Sequence, residues 1–202
     1  LAFSPILFTY HLMSRSSVTE LKQDPPLCID LDGTLIKTDL LWESFVQVLK
    51  SNPAGALLVP IWLLRGRAYL KAQLASRVQL DAAALPYNAN FIDFLRNERA
   101  RGRKLVLVTA ADSLLARGVA EYLGLFDEVL ASDGKLNLSG QNKRAILTER
   151  FGQRGFDYAG NSHVDMTVWQ QARQALVVNA TANLAARASR VAAEPGDVFE
   201  PR

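Results

Sequence analysis

The chain has 202 residues, 49% of them hydrophobic and 21% charged, with a formal net charge of +3. That length accommodates one substantial core with room for a small inserted subdomain, and so small a charge excludes an argument for a nucleic-acid partner. A single cysteine, Cys28, excludes an intramolecular disulfide framework and fits a reducing compartment.

Residues 1–24 read as a poorly structured leader closed by Pro25-Pro26. Leu1 to Tyr10 is apolar but short, interrupted by Ser4 and Pro5, and lacks the basic lead-in of a secretory signal. The chain starts with Leu rather than Met, which reads as a fragment or a misplaced start. No stretch reaches the ~20 apolar residues a membrane-spanning helix needs.

The run Leu27-Cys28-Ile29-Asp30-Leu31-Asp32-Gly33-Thr34-Leu35 carries the strongest signal. A buried strand takes Leu27 and Ile29 into a core and delivers Asp30 and Asp32 to its carboxyl end, where ligands bind in parallel α/β sheets. Residues two apart share one side of a strand, so both acids can face one site, although the turn at Gly33 redirects the second. Two adjacent anions repel unless a cation or a shared proton compensates them. The economical reading is a divalent metal plus acid–base work: one carboxylate ionised as ligand and nucleophile, the other exchanging a proton. A plain strand followed by an acidic Gly-containing turn satisfies the same letters. Cys28 is read as a packing residue.

Helical patterning follows. Leu41, Phe45, Val48 and Leu49 share a face, Asp39 caps the start, and Ser51-Asn52-Pro53 ends it. Ala54 to Leu64 is apolar on all sides and runs into Arg65, Arg67 and Lys71. Such a segment is buried or lies at an interface, and packing within a helical subdomain is expected ahead of membrane contact. Helical stretches continue to about Val78, before a break at Pro86-Tyr87-Asn88. Phe91, Ile92, Phe94 and Leu95 mark a further amphipathic helix, stopped at Gly102.

From there strands and helices alternate. Strands are expected at Lys104–Val108, Glu128–Ala131, Phe156–Ala159 and Ala175–Val178. Helices are expected at Ser113–Leu123, Asn142–Phe151, Val164–Arg173 and Thr181–Ala188. Strands separated by single helices imply right-handed crossovers and a parallel sheet covered on both faces. The fold class is therefore α/β, a Rossmann-like three-layer sandwich with a central parallel sheet. Residues 25–38 and 89–190 form its core, and 191–202, with Glu194-Pro195-Gly196-Asp197, read as a linker or tail. The helical block 39–88 is too long for a simple crossover and reads as a small cap inserted after the first strand; a lid there excludes water and selects substrate.

The nonamer 27–35 resembles the first motif of the haloacid dehalogenase-like (HAD) superfamily, a hydrophobic run followed by D-x-D-G-T. Val106-Leu107-Val108-Thr109-Ala110 resembles the second, an apolar strand ending in Thr or Ser; alone it also fits an ordinary helix start capped by Asp112 or Ser113. Lys143, near the start of a helix before the next strand, matches the place of the third motif, with Lys135 on the Asp133-Gly134 turn as competitor. Phe156 to Asp165 resembles the fourth, commonly G-D-x-x-x-D. Gly160 and Asp165 match, whereas the first acid is replaced by Asn161, an oxygen donor without charge, so metal affinity is expected to fall unless the rest of the shell compensates. His163, in the same loop, is assigned no role.

The resemblance covers about Leu27 to Asn179 and implies a HAD phosphatase. Asp30 is then the nucleophile and Asp32 the proton shuttle, with Thr109, the Ala110 N–H and Lys143 binding phosphoryl oxygens. The expected cofactor is Mg²⁺, held by Asp30, the Asp32 backbone carbonyl, Asn161 and Asp165; hard oxygen ligands suit it over Zn²⁺. Asp30 to Leu35, Pro60 to Gly66, Leu85 to Asn88 and Tyr158 to Ser162 also look like the HAD domain found ahead of UbiA-type prenyltransferases. That likeness implies a prenyl-linked sugar phosphate as substrate, a membrane prenyltransferase as partner or fusion, and a cytoplasmic place at the inner face of the membrane. The rival expectation, raised by Asn161 and the Ala54–Leu64 segment, is a weak or inactive HAD-like docking or regulatory domain for such a partner.

Overall fold

The computed structural model describes residues 24–199, so the expectation of a leader falls outside the described residues except at Asp24. Six strands, β1 (Leu27–Ile29), β2 (Leu105–Asp112), β3 (Glu128–Ser132), β4 (Asp157–Gly160), β5 (Gln174–Val178) and β6 (Glu194–Phe199), form one sheet in the order β3-β2-β1-β4-β5-β6. Every neighbouring pair is parallel. The order reverses direction beside β1, which makes the gap between β1 and β4 a topological switch point open to a ligand.

Between β1 and β2 lie α1 (Leu40–Ser51), α2 (Pro53–Ala56), α3 (Val59–Leu64), α4 (Arg67–Ala75) and α5 (Ala89–Ala100). The later crossovers are α6 (Ser113–Leu123), α7 (Gln141–Phe151), α8 (Met166–Trp169) and α9 (Ala182–Val191). Strand alternation divides the core into two buried layers. Leu27, Ile29, Leu105, Leu107 and Val178 pack with Phe91 and Leu95 of α5 and Val119 of α6. Cys28, Val106, Val108, Tyr158 and Val177 pack on the other face with Leu147, Trp169 and Leu184. The three-layer α/β sandwich is thus the observed architecture, and Cys28 is a buried packing residue whose thiol pKa burial pushes up.

Asp39 caps α1, accepting from the N–H groups of Leu41 (2.8 Å) and Trp42 (3.2 Å). Leu40, Ser44 and Val48 form its buried face; Leu49, expected there, is exposed. Val48, Trp62, Leu70 and Leu74 make a small cluster of their own among α1, α3 and α4. Burial of the whole Ala54–Leu64 segment does not hold. It breaks into two short helices around Leu57-Leu58, with Pro60 unable to donate to a continuous ladder. Trp62 is buried in the cluster and Val59 packs against it half-buried, while Leu57 and Leu64 are 78% and 88% exposed.

Two further expectations are corrected. Instead of a helix over Val164–Arg173 there is a single 3₁₀ turn at His163–Asp165 followed by the four-residue α8. The stretch Glu194-Pro195-Gly196-Asp197 is not a linker but the start of β6, at the sheet edge, where Pro and Gly are tolerated. Gly196 lies so close to β5 that a Cβ would stand 2.5 Å from the Ala175 carbonyl oxygen. Phe199 anchors the strand, its ring 5.0 Å from both Phe91 and Phe94.

At the amino end of the sheet sits a buried ion cluster. The Asp157 carboxylate accepts from Arg103, from Arg173 (Nε at 3.0 Å, Nη2 at 2.6 Å) and from the Gln174 N–H at 3.0 Å. Arg103 also donates to Glu98 at 2.7 Å.

Candidate active site

The carboxyl ends of β1, β2 and β4 open into one cavity of about 730 Å³, roofed by α1 and α4. Asp30 follows the last residue of β1 and its N–H donates to the Ala159 carbonyl at 2.9 Å, which keeps the strand direction for one more residue. The chain then turns: the Leu31 carbonyl accepts from the N–H groups of Leu35 (3.0 Å) and Ile36 (3.1 Å). Gly33 sits at φ 75°, and a Cβ there would stand 2.0 Å from Asn161 Nδ2, so only glycine lets the Asn161 amide lie across this turn. From the end of β5, Asn179 Nδ2 donates to the Gly33 carbonyl at 3.1 Å and fixes the turn from the other side.

Lys143, in the first turn of α7, is buried and donates to Asp30 Oδ1 at 2.7 Å and to the Tyr158 hydroxyl oxygen at 2.8 Å. The Tyr158 hydroxyl donates in turn to Asp165 Oδ1 at 2.7 Å. Asp165 Oδ2 accepts from the Asn161 N–H (3.2 Å), the Ser162 N–H (3.0 Å) and the Ser162 hydroxyl (2.8 Å). Through these contacts Asp165 organises the loop after β4, while Oδ1, whose one hydrogen-bond donor among the described residues is Tyr158, keeps a lone pair at the cavity.

Electrostatics separates the two acids of the first turn from ordinary surface carboxylates. Burial pushes the Asp30 pKa up to about 6, against the pull of Lys143. Burial pushes Asp32 to about 7, although the Leu40 N–H at the start of α1 donates to its Oδ1 at 2.9 Å. Burial pulls the Lys143 ammonium down, but Asp30 and Asp165 outweigh it and leave the pKa above the usual lysine range. The cavity thus pairs a carboxylate held by a lysine with a second acid able to carry a proton near neutral pH.

Asp30, Asp32, Ala110, Lys143, Asn161 and Asp165 all line this one cavity. Thr109 does not join them: it is fully buried and its hydroxyl accepts the Ala111 N–H at 2.9 Å. The β2–β3 register shifts between Val108 and Asp112, the stretch that holds Thr109 and Ala110, and such irregularities re-aim residues at strand ends. Lys135 and His163 are exposed. Among the described residues, no three His, Cys, Asp or Glu side chains converge to hold an ion. The available donors are the Asp30 carboxylate, the Asn161 side-chain oxygen, the Asp32 backbone carbonyl and Asp165 Oδ1. All are hard oxygens around an excess of acid, a set that fits Mg²⁺ with retained water.

Two participants escaped sequence reasoning. Tyr158 reads as one more apolar strand residue, and its only signal is a hydroxyl on a buried strand two residues before Gly160. Lys71 of α4 reaches across the cavity to donate to the Ala110 carbonyl at 2.6 Å and to Asn137 Oδ1 at 3.1 Å. Its one-turn spacing from Arg67 puts both on one helix face, but nothing in the sequence foretells that reach.

Comparison with known proteins adds three findings. The family model for haloacid dehalogenase-like hydrolase matches residues 27–170. The uncharacterized protein y4nM of Sinorhizobium fredii is 41% identical over 154 residues, which are 76% of this chain but only 30% of that protein. The chain therefore spans about a third of the length of its curated relative. Among solved structures, a Bordetella pertussis Tohama I protein of unknown function superposes with TM-score 0.63 at 17% identity, covering 88% of this chain and 99% of that one. Phosphoserine phosphatase in apo form gives TM-score 0.60 at 16% identity, over 89% and 95% of the two chains. Its phospho-aspartyl intermediate analogue gives 0.59 at 16%, over 90% and 95%. Likenesses at that identity establish the shared fold.

Proposed function

The chain belongs to the haloacid dehalogenase-like hydrolase family, and on that premise we propose that it is a Mg²⁺-dependent phosphomonoester hydrolase working through an aspartyl-phosphate on Asp30. The observation that carries this reading is the pairing of Asp30 with Lys143 at 2.7 Å beside Asp32, whose pKa of about 7 suits proton exchange.

In the first half-reaction an Asp30 carboxylate oxygen bonds to phosphorus while the bond from phosphorus to the ester oxygen breaks. Asp32 gives its proton to that departing oxygen. In the second half, Asp32 takes a proton from a water whose oxygen attacks the same phosphorus, which releases phosphate and restores Asp30. Lys143 offsets charge on Asp30 and on the transferring group. Thr109 and the Ala110 N–H are assigned to the phosphoryl oxygens, Thr109 requiring a turn of its hydroxyl away from Ala111. Asp30, the Asp32 carbonyl, Asn161 and Asp165 would hold Mg²⁺, which when bound lets two anions approach and polarises the phosphoryl group.

The finer assignment is a prenyl-linked sugar phosphate as substrate and a UbiA-type membrane prenyltransferase as partner or fusion, with the chain on the cytoplasmic side of the membrane. Its support is the likeness of Pro60–Gly66 and Tyr158–Ser162 to that domain type, together with the exposed Leu57, Ile61 and Leu64 of the cap. Among the described residues no helix is long and apolar enough to cross a membrane.

Phosphate release from p-nitrophenyl phosphate tests the activity. Expected are turnover that requires Mg²⁺ and its loss in Asp30→Asn. Silence across a phosphomonoester panel, with no Mg²⁺ binding by calorimetry, would favour the second reading that Asn161 raises, a HAD-like docking domain without turnover.

A further inference from the structure

Helix α4 presents Arg67, Leu70, Lys71 and Leu74 to the cavity, the i, i+3, i+4, i+7 stripe of a single helical face. Two cations and two leucines thus look down from the cap onto the strand ends. Among the described residues neither cation has an acidic partner within ion-pair distance. Lys71 donates to a carbonyl and to an amide oxygen, both neutral, and among the described residues the ion pairs at the cavity are those of Lys143 with Asp30 and Asp165. A half-buried ammonium that meets only neutral acceptors gains strongly from an anion, because charge-assisted hydrogen bonds are about twice as strong as neutral ones. Burial already pulls the Lys71 pKa below the usual lysine range, with Asp32 and Asp39 opposing.

On α1, α3 and α4 the wall around these cations is otherwise apolar or buried. Ser44 of α1 belongs to the wall of the same cavity, and its buried hydroxyl has no hydrogen-bond partner among the described residues. The cap therefore offers a cation pair beside Leu41, Leu63, Leu70 and Leu74, whereas the strand ends offer Asp30 and Lys143. A small phosphomonoester with one anionic group would leave the cap cations unused.

We propose that Lys71 and Arg67 form a second anion subsite on the cap, and that the phosphomonoester taken carries a second negatively charged group next to an apolar portion. This rests on the phosphatase reading only in that the first anion goes to the Asp30–Lys143 end. Lys71 already touches Ala110 at the tip of β2, so the second anion lies close to the phosphoryl pocket.

Calorimetric titration of the whole chain in Mg²⁺ with two non-hydrolysable probes, butylphosphonate and butane-1,4-bisphosphonate, tests this without requiring turnover. The bisphosphonate is expected to bind at least about tenfold more tightly, the smaller end of what a charge-assisted contact contributes. In the double variant Arg67→Met, Lys71→Met the advantage should shrink to about twofold, the statistical value for two equivalent ends. Lys71→Arg should keep it, as should Arg96→Met on the exposed face of α5. Arg67 is exposed, so Arg67→Met alone leaves the core untouched and should remove part of the advantage. If butylphosphonate binds and the bisphosphonate binds no better, or if the advantage survives the double variant, the second subsite is wrong while the phosphoryl site stands. If neither probe binds, the phosphoryl site itself is refuted, and the subsite falls with it.

Discussion

Both ends of the sheet bury acidic groups, but only one end balances them. At the amino end Asp157 and Glu98 face Arg103 and Arg173, two acids against two guanidinium groups, with the Gln174 N–H adding a further donor. At the carboxyl end Asp30 and Asp165 share one buried lysine, Lys143, and among the described residues Asp32 has no ion-pair partner. A balanced cluster has nothing left to bind and serves the fold. An acid-rich one stays poised between taking a proton and taking a cation. The difference separates scaffold from chemistry within a single sheet, and substitutions at the two ends should fail in different ways.

The largest effect is expected at the acid-rich end. Asp30→Asn should lower phosphate release by at least about a thousandfold while the far-ultraviolet circular dichroism stays unchanged, because it deletes the nucleophile and little packing. Arg103→Met should do the reverse. It leaves Asp157 and Glu98 short of a partner in the interior, a loss of about 3–5 kcal/mol by denaturant titration, with kcat nearly unchanged wherever the chain remains folded. A variant at Arg103 that lost turnover but kept its stability would break the division between the two ends.

Tyr158→Phe should give an intermediate result, since the hydroxyl ties Lys143 to Asp165. Stability should fall by about 1–2 kcal/mol, and the fall in kcat, on the order of tenfold, should exceed any change in KM because Lys143 loses its aim. The smallest effect concerns pH. A carboxyl whose pKa is higher in the folded chain binds its proton more tightly there. In the metal-free protein these two acids therefore contribute stability that is fully present below the unfolded value of about 4 and is lost as pH rises through about 6 and 7, the folded values of Asp30 and Asp32. Asp32→Asn should raise the thermal midpoint at pH 8 by roughly 2–4 °C, on the order of 1 kcal/mol, and leave it unchanged at pH 4.

The alternation of strands and helices, and the acids at the end of the first strand, were legible because burial periodicity and turn chemistry are local properties. Leu105 and Leu107 on one face against Val106 and Val108 on the other show that a continuous apolar run is what a strand covered on both sides requires. Lys143 was legible through its place in the order of motifs. Less legible were features decided by distant partners. Glu194-Pro195-Gly196-Asp197 has the composition of a turn, and only the neighbouring β5 backbone with Phe91 and Phe94 makes it a strand. Asp165 looks like a ligand by spacing, and nothing local foretells that Ser162 and Tyr158 also donate to its oxygens. Lys71 gave no sign of crossing to Ala110, a contact 39 residues away.

The most direct test of phosphoryl transfer to position 30 is chemical trapping during turnover. The protein is quenched in acid while it hydrolyses a phosphomonoester, reduced with borohydride and digested for mass spectrometry. The account predicts homoserine in place of Asp30 in the peptide containing Leu27 to Leu35, dependent on substrate. Rapid phosphate release with Asp30 unmodified, or with the mark on another residue, would contradict it.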